Sequence, residues 1–517
     1  MRQWGSSLHH NGVSFFLATV PAGTQLYHGA SNPGAVNGTE WLAFEPEHAM
    51  VFARPHRGPP PKGPEDDIDD KPEEGEKEYG HHEELRRRHD HGETPFEEMD
   101  ENASGYLHTY AAAKDLRLVY IDGMSAGKTK KGTLDSQDYI LFNGTIDEFS
   151  EKDKKKPRKG PGPGGESDRA LKACEMAKNE WEGSIDGVLR MEAGFEIILC
   201  SFERDLFPIR TTHVKQDTHE WGPGKGGSKP PGPPGGGPPR GGKKRKVPGP
   251  GGPGPESSRW MRAVTSRYDS IGGNRVWLNY DKFVTAYSHD VDLFPEGSTL
   301  PRLANLLTSE LAAIRDELSS VILRTDLKES SWDWQATVDM IVTRYSDELS
   351  YLTSDKFSEI KAFHDHIEIL LSPFIDYSER NTFEEAERCA TQFLPLQIQE
   401  GKTTAAKAVH HVAHSVCMAL LEAWNEDKLV LAQNRVRSVI DYLDWTTWKD
   451  RRGCQDNEIC VVPIWPMGTV DGYNQPKCRD VSHPYMKAMM GRAIGVESMV
   501  DRVGQNNFIC FYYAFEQ

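Results

Sequence analysis

The spacing of apolar and polar residues divides the chain into a first half with the two-residue period of strands and a second half with the period of helices. In the first half, short runs rich in β-branched and aromatic residues predict strands at 25–29, 41–44, 105–110 and 116–122. The centre of this half is the stretch 183–200, where a turn leads into Glu196 and then directly into the apolar run Ile197–Leu199. A carboxylate at the start of a buried strand is typical of a binding or catalytic site, and it is equally typical of an ordinary strand end.

Two helices and one further strand complete the pattern of this half. Glu45-Pro46-Glu47 starts a helix, with proline tolerated in its first turn, and a second, amphipathic helix spans 169–182. The run 134–142 predicts another strand, and 202–209 continues the chain after the central stretch. The apolar patch Val13–Val20 follows too weak a basic lead to predict a signal peptide.

The second half has the apolar periodicity of helices throughout. One face of a long helix is marked from Leu303 to Ile322. Further helices are predicted at 332–352, 356–371, 382–393, 404–424 and 429–445. Thr382 and Glu385 have the spacing of a capping box. This half is therefore predicted to be an all-α domain with short connections.

Stretches rich in glycine, proline and charge set the expected domain limits. Inserts near 55–103 and 151–166 have too few large apolar residues to form a core, and we expect them to be disordered. The resulting organisation is an α+β module over 1–215, a Gly/Pro-rich linker over 216–257, a helical domain over 258–450 and a Cys-rich extension over 451–517 packed on the helical domain.

Composition restricts the classes of function. The chain has 61 Lys and Arg against 78 Asp and Glu, a net charge of −17, which argues against nucleic acid as a partner. No apolar run is long enough for a transmembrane helix. The basic run Lys243–Lys246 resembles a nuclear import signal, although a basic loop in an acidic protein has the same appearance.

Cysteines and glycosylation sequons favour a secreted or cell-surface protein, with nuclear localisation as the alternative. The eight cysteines are even in number and permit four disulfides. Three Asn-x-Ser/Thr triplets, at Asn37, Asn102 and Asn143, all precede the linker. Cys454, Cys460, Cys478 and His483 lack the regular spacing of a zinc site, so a disulfide-stapled tail is expected.

Other motifs predict little chemistry. The sequence GMSAGKT resembles a phosphate-binding loop, but Asp122 stands where the first glycine is required and no helix follows. His410 and His414 stand four apart on a predicted helix without an evident third ligand, so no metal site is predicted. Histidines in an acidic insert are expected to be solvated; these are His81, His82, His89 and His91.

Several segments resemble a family of uncharacterised proteins from filamentous fungi. They include QLYHGA, EWLAFEPEHAMVFA, GSIDGVLRMEAGFEIILC and the Cys-rich tail, which together cover most of the part expected to be ordered. This resemblance implies no activity. Members often carry an N-terminal secretory or anchoring segment, which is not visible in this sequence.

A more distant resemblance suggests a ligand. A Tyr-His-Gly strand, a strand followed by a helix with alanines and an aromatic residue, and a later strand with a single glutamate together resemble the ADP-ribosyltransferase-like fold, especially its poly-ADP-ribose polymerase branch. The resemblance implies NAD as cofactor. It implies that His28 donates to a ribose hydroxyl, that Gly29 offers backbone hydrogen bonds to nicotinamide, that Phe52 stacks on nicotinamide and that Glu196 stabilises the positive charge of glycosidic cleavage.

The chain departs from that pattern in three respects, one of which is that the spacing from Phe44 to the aromatic residue of the helix is shorter than usual. Phe52 lacks the hydroxyl of the usual tyrosine, and Gly194 stands where a glutamate or glutamine is expected, with Glu192 as the nearest substitute. These departures argue against transfer to a target and leave NAD hydrolysis or plain ligand binding as the expected activity. The alternative is a non-enzymatic secreted or cell-surface interaction protein with an unidentified protein partner on its helical domain. In that case His28 is a core histidine bonded to backbone, Phe52 packs, and Arg190 pairs with Glu192 or Glu196.

Overall fold

The computed structural model describes most of the predicted elements. It covers residues 10–50, 52–53, 105–127, 132–144, 166–191, 194–214, 271, 273, 275–296, 298–325, 332–396, 403–449, 454–456, 458–461, 475 and 477–480. The predicted insert at 55–103, the predicted linker at 216–257 and nearly all of the insert at 151–166 lie outside these residues, as do Lys243–Lys246 and Glu192.

Nine strands form one mixed sheet in the first part of the chain. They are β1 (Asn11–Val20), β2 (Gln25–Ala30), β3 (Glu40–Ala43), β4 (Tyr106–Ala112), β5 (Leu116–Gly123), β6 (Gly187–Met191), β7 (Phe195–Leu199), β8 (Leu206–His213) and β9 (Trp277–Thr285). Their order across the sheet is β8-β4-β2-β3-β7-β6-β5-β1-β9. β5 and β6 pair in parallel, and the other neighbours pair antiparallel.

The parallel pair β5–β6 requires a crossover over one face of the sheet. This crossover contains a π-helical turn (Ser136–Leu141) and a helix that starts at Glu166. The strand predicted at 134–142 is therefore wrong. The Ser136 hydroxyl and the Gln137 amide donate to the backbone carbonyls of Gly12 and Ser125, and these tertiary bonds override the strand-like apolar run.

The sheet extends further along the chain than the sequence pattern indicates. The apolar patch Val13–Val20 lies within β1, which is held between β5 and β9. β9 comes from the part assigned to the helical domain, and its pairs include Phe15 with Val284 and Ala18 with Leu278. Polar residues within WLNYDKFVT interrupt the alternation that identifies a strand.

Nine α-helices lie among the described residues. In the first part they are α1 (Pro46–Met50), α2 (Glu166–Asn179) and α3 (Phe202–Asp205). In the second part they are α4 (Thr308–Arg324), α5 (Trp334–Leu352), α6 (Ile360–Leu371), α7 (Thr382–Thr391), α8 (Thr404–Trp424) and α9 (Leu429–Leu443). The prediction of a helical second half is confirmed, and the helix limits agree closely with the apolar periodicity.

Helix α4 packs on the sheet rather than among the later helices. Its residues Leu311, Ile314 and Leu318 share a buried cluster with Phe15 of β1 and Val119 of β5. Its last turn is bonded to the sheet as well. The buried Arg117 guanidinium donates through Nη2 to the carbonyls of Ile322 and Thr325, at 2.7 and 2.8 Å. Because β9 and α4 pack on the sheet, we call β1 to β9 with α1 to α4 the sheet module, and α5 to α9 the helical region.

Helices α5 to α9 form a separate apolar core. Fully buried members include Tyr345, Phe363, Cys417 and Leu420. β9 joins the two regions, because Tyr280 and Phe283 pack against this core. At α7 the capping differs from the predicted box: Asn381 is the N-cap, and its side chain accepts from the backbone N–H groups of Phe383 and Glu384.

Within the residues that the structure describes, three disulfides join six cysteines. Cys174–Cys200 ties α2 to the end of β7, Cys389–Cys417 ties α7 to α8, and Cys454–Cys478 staples the tail. In that tail, β10 (Glu458–Val461) pairs antiparallel with β11 (Lys477–Asp480), and Cys510 lies outside the described residues. Within the described part of the chain, no helix combines the length and apolar character needed to cross a bilayer.

Candidate functional site

The strand with the His-Gly pair and the strand with Glu196 are separated by a single strand. Register pairs join Tyr27 of β2 to Ala43 of β3, Ala43 to Glu196 of β7, and Glu196 to Arg190 of β6. Directly paired residues share a face of the sheet, so these four side chains form one row. Segments nearly 170 positions apart along the chain therefore meet at adjacent strands.

Glu196 is held in a buried ion pair. The Nε of Arg190 donates to its Oε1 at 2.7 Å, and both side chains are buried. The same guanidinium donates through Nη1 to Oε1 of Gln137 at 3.3 Å and contacts Glu166 through Nη2. The predicted pairing of Arg190 with Glu196 is confirmed. Because it is buried, loss of one partner is far costlier than for an exposed pair.

His28 is buried and bonded to the backbone of the neighbouring strand. Its Nδ1 lies 2.8 Å from the carbonyl oxygen of Trp41. A carbonyl can only accept, so Nδ1 carries the proton. Burial lowers the pKa of His28 to about 4, the bond to Trp41 opposes this shift, and nearby His108 adds to it. At neutral pH His28 is therefore uncharged, with Nε2 as an acceptor.

The imidazole of His28 lies where β2 and β3 separate. These two strands share one register pair, Tyr27 with Ala43. Beside it, the carbonyl of Trp41 receives a bond from the His28 side chain. The His28 ring centroid is 5.3 Å from that of Trp41 and 5.7 Å from that of Phe202. His28 follows Tyr27 in β2, so its side chain projects from the opposite face of the sheet to that of Glu196. The two residues lie two strands apart and bond to different partners.

A neighbouring backbone segment leaves no room for a side chain at Gly29. A Cβ on Gly29 would lie 2.0 Å from the carbonyl oxygen of Ala49 and 2.7 Å from the nitrogen of Ala53. The close approach that glycine permits here is that of Ala49 in α1 and of Phe52 and Ala53 after it. The resemblance places nicotinamide beside Gly29, but backbone atoms of Ala49, Phe52 and Ala53 fill that space.

Phe52 packs in an aromatic cluster that the sequence analysis did not identify. Its ring meets Trp41 edge to face at 4.5 Å and lies 6.0 Å from His48, and His48 lies 5.9 Å from Trp41. The structure therefore brings His28, Gly29 and Phe52 to one corner around Trp41. Sequence spacing does not reveal how β2, β3 and α1 meet, so Trp41 had no signal beyond its place in a strand.

Gln137 and Glu166 are the other residues that sequence reasoning missed. Both contact Arg190, and both come from the crossover between β5 and β6. Gln137 is buried in the π-helical turn, and Glu166 is the first residue of α2. Neither belongs to a recognisable motif, because their roles depend on the path of the crossover over the sheet.

The GMSAGKT segment does not form a phosphate-binding loop in its described part. The backbone N–H groups of Met124 and Ala126 donate to His10 and Met191 carbonyls, each at 2.9 Å, and that of Gly127 donates to Met124 at 2.8 Å. Groups that would hold a phosphate are thus already bonded within the protein. Lys128 and Thr129 lie outside the described residues.

The pair His410 and His414 lies beside a single carboxylate. His410 Nε2 is 2.9 and 3.1 Å from the two oxygens of Glu387, and the two imidazole rings stack at 5.9 Å. Burial lowers the pKa of His414. Across the described residues, no three His, Cys, Asp or Glu side chains are arranged to hold a metal ion. The four histidines of the acidic insert lie outside them.

Comparison with known proteins identifies two yeast relatives that match part of the chain. The Saccharomyces cerevisiae protein "Uncharacterized protein YOR389W" is 32% identical over 223 residues, which is 40% of this chain and 30% of the relative. "Uncharacterized protein YPL277C" of the same yeast is 31% identical over 223 residues, which is 40% of this chain and 39% of the relative. The chain therefore spans about a third of the length of these relatives. No solved structure matches the chain.

One family matches the first part of the chain. Residues 1–219 match the family described as the YPL277C N-terminal domain, and the matched segment contains β1 to β8, His28, Gly29, Phe52 and Glu196. The candidate site thus lies wholly within the matched segment. The matches support an uncharacterised fungal family as the relatives of this N-terminal part.

Proposed function

We propose that the sheet module binds NAD or a similar dinucleotide where β2, β3 and β7 meet, as an ADP-ribosyltransferase-like protein that transfers ADP-ribose or hydrolyses NAD. One observation carries this proposal. The three segments that the resemblance assigns to one ligand are neighbours in the sheet order, although they are far apart in the chain. Because His28 and Glu196 project from opposite faces, a single ligand contacting all three segments would have to pass around the ends of these strands.

The hydrogen bonds of His28 determine how it would hold a ribose. Its proton is used by the Trp41 carbonyl, so Nε2 would accept from a ribose hydroxyl rather than donate to it. A His28 that stays neutral above its pKa of about 4 keeps this acceptor available at neutral pH. The proposal therefore reverses the direction of the hydrogen bond that the resemblance implies.

Glu196 would stabilise positive charge on the ribose as the bond to nicotinamide breaks. Its Oε1 accepts from Arg190, which leaves Oε2 as the oxygen that would face the ribose. Arg190 lowers the net negative charge available there, so the arrangement supports binding better than fast turnover. The rings of Trp41 and Phe52, in contact at 4.5 Å, would have to separate for a dinucleotide to enter.

Calorimetry with NAD, together with chromatography of released nicotinamide, tests this proposal. We expect binding by the unmodified chain, weakened about tenfold in His28→Ala, the cost of roughly one hydrogen bond. Glu196→Gln should keep binding and lose about 100-fold or more of any hydrolysis. Glu385→Gln, at a buried carboxylate of the helical region, is the matched control and should change neither. Absence of NAD binding by the unmodified chain would end the proposal.

A non-enzymatic interaction protein is the second candidate. The burial of both His28 and Glu196, each with a protein partner, favours it, because such residues also serve structure alone. The helical region presents exposed apolar side chains for an unidentified protein partner, such as Ile369, Leu396 and Val430. In this case the two variants at His28 and Glu196 would lower thermal stability, and the unmodified chain would give no heat with NAD.

A further inference from the structure

Two of the three glycosylation triplets have the same sequence and share a left-handed central glycine. Asn37-Gly38-Thr39 ends the loop between β2 and β3, and Asn143-Gly144 follows the π-helical turn. Both asparagine side chains are exposed. Both central glycines adopt the left-handed conformation, with φ of +76° at Gly38 and +71° at Gly144. Each asparagine is therefore exposed at a bend, and a Cβ built on the glycine beside it meets no heavy atom of the described residues within 4 Å.

The backbone behind Asn37 is firmly held while its side chain is exposed. The N–H of Gly38 donates to Glu203 at 2.8 Å, and its carbonyl accepts from the N–H of Phe202 at 3.1 Å. The Thr39 hydroxyl donates to the carbonyl of Cys200 at 3.3 Å. Modification at Asn37 would thus leave these bonds intact, because none of them uses the asparagine amide.

The disulfides independently indicate the compartment in which such a modification occurs. Cys174–Cys200 lies beside the Asn37 loop, and its Cα atoms are 5.3 Å apart, within the usual range for a disulfide. Two more disulfides tie the helical region and the tail. Disulfides persist in the endoplasmic reticulum and outside the cell and are rare in reducing compartments. Asparagine-linked glycans are added in that same oxidising route.

We infer that Asn37 and Asn143 are acceptor sites for N-linked glycans and that the chain matures in the secretory pathway. In the transfer step, the amide Nδ2 of each asparagine attacks the anomeric carbon of an oligosaccharide carried on a lipid pyrophosphate. A C–N bond forms, the C–O bond to pyrophosphate breaks, the amide loses one proton, and the lipid pyrophosphate leaves. This inference does not depend on NAD binding.

Peptide mapping of the full chain, directed into the yeast secretory pathway by a cleavable leader, tests the inference. The Asn102→Gln background removes the third triplet, which lies outside the described residues. Enzymatic removal of glycans in heavy-oxygen water converts each used asparagine to a labelled aspartate. We expect full labelling at Asn37 and Asn143, loss of one glycan in Asn37→Gln or Thr39→Ala, and loss of the other in Asn143→Gln.

Asn32→Gln is the matched control, because Asn32 is exposed in the same loop and has no hydroxyl residue two positions later. It should leave both glycans in place. A secreted, disulfide-bonded chain with an unlabelled Asn37 or Asn143 would overturn the assignment of that residue. Free thiols at Cys174 and Cys200 in the folded protein would overturn both, because the evidence for an oxidising route would be gone.

Discussion

The sheet module and the helical region differ in what they bury. The sheet module buries several full charges within a framework of distant strand pairs, among them Arg117, Arg169, Asp186, Arg190 and Glu196. Among the described residues of α5 to α9, Glu385 is the one charged side chain that is buried. Burying an ion is costly unless it is paired, and apolar packing is often as stabilising. The sheet module therefore depends on specific charge pairs for its buried interior, whereas the core of the helical region is held by apolar packing.

The largest expected effect is the loss of one partner of the buried pair. Arg190→Met should cost about 3 to 5 kcal/mol, because it leaves Glu196 buried without its cation. In the helical region, Arg380→Met removes the partner of Glu385, but Arg380 is 41% exposed and Glu385 also accepts from the backbone N–H of Asn381. We expect about 1 kcal/mol there. Denaturant unfolding measures the free-energy cost of each substitution, and hydrogen exchange of β6 and β7 follows the Arg190 variant. Equal costs would show that the two regions do not differ in how they depend on a buried pair.

Disulfides should not distinguish the two regions. Cys389–Cys417 spans 28 positions and Cys174–Cys200 spans 26, so the loop entropy that each removes from the unfolded chain is nearly the same. Replacing either pair by alanines should cost about 3 kcal/mol, measured by the same denaturation. A difference above about 2 kcal/mol between the two would show that local packing outweighs chain entropy.

Stability should depend on pH through His28. Its pKa of about 4 lies below the unfolded value of 6.5, so between these limits the unfolded chain binds a proton that the folded chain does not. This contribution is complete above about pH 6.5 and falls by at most about 3 kcal/mol as the pH drops to 4. His28→Gln should remove that slope. The exposed His411, replaced by glutamine, is the control, and an unchanged slope in His28→Gln would refute the assignment.

The smallest effect concerns the approach of α1 to the sheet. Gly29→Ala should cost about 1 to 3 kcal/mol, because the added methyl group would meet backbone atoms that cannot easily move. Gly34→Ala, whose nearest neighbour is the flexible side chain of Asn32 at 3.2 Å, is the control and should be nearly neutral. Thermal denaturation compares the two. A neutral Gly29→Ala would mean that α1 is loosely held.

The local periodicity of apolar residues is sufficient to predict the helices and most of the strands. Helices α5 to α9 follow from apolar spacing because their contacts are close in sequence. The strand role of 13–20 and the existence of β9 were missed, because β9 alternates poorly and is a strand only by pairing with β1. The π-helical turn was missed for a related reason, since bonds to Gly12 and Ser125 decide its shape.

The candidate site was predictable in part. The contact of Arg190 with Glu196 could be foreseen, because β6 and β7 form a local hairpin in which the two residues are directly paired. The bond from His28 to the Trp41 carbonyl could not, because it depends on where β2 and β3 separate. The same holds for three other residues of the site, Trp41, Gln137 and Glu166. Their positions depend on strand register or on the path of the crossover, which cannot be predicted from the pattern of a single sequence.

β9 also sets a limit on how the molecule can be divided. The family match ends at residue 219, whereas the strand that covers the outer edge of β1 begins at Trp277. Truncation at the end of the match would strip that neighbour and α4 from β1, leaving unsatisfied amides along an apolar strand. Such an uncapped edge recruits strands from other molecules, so the shortened protein should precipitate where the longer one stays dispersed.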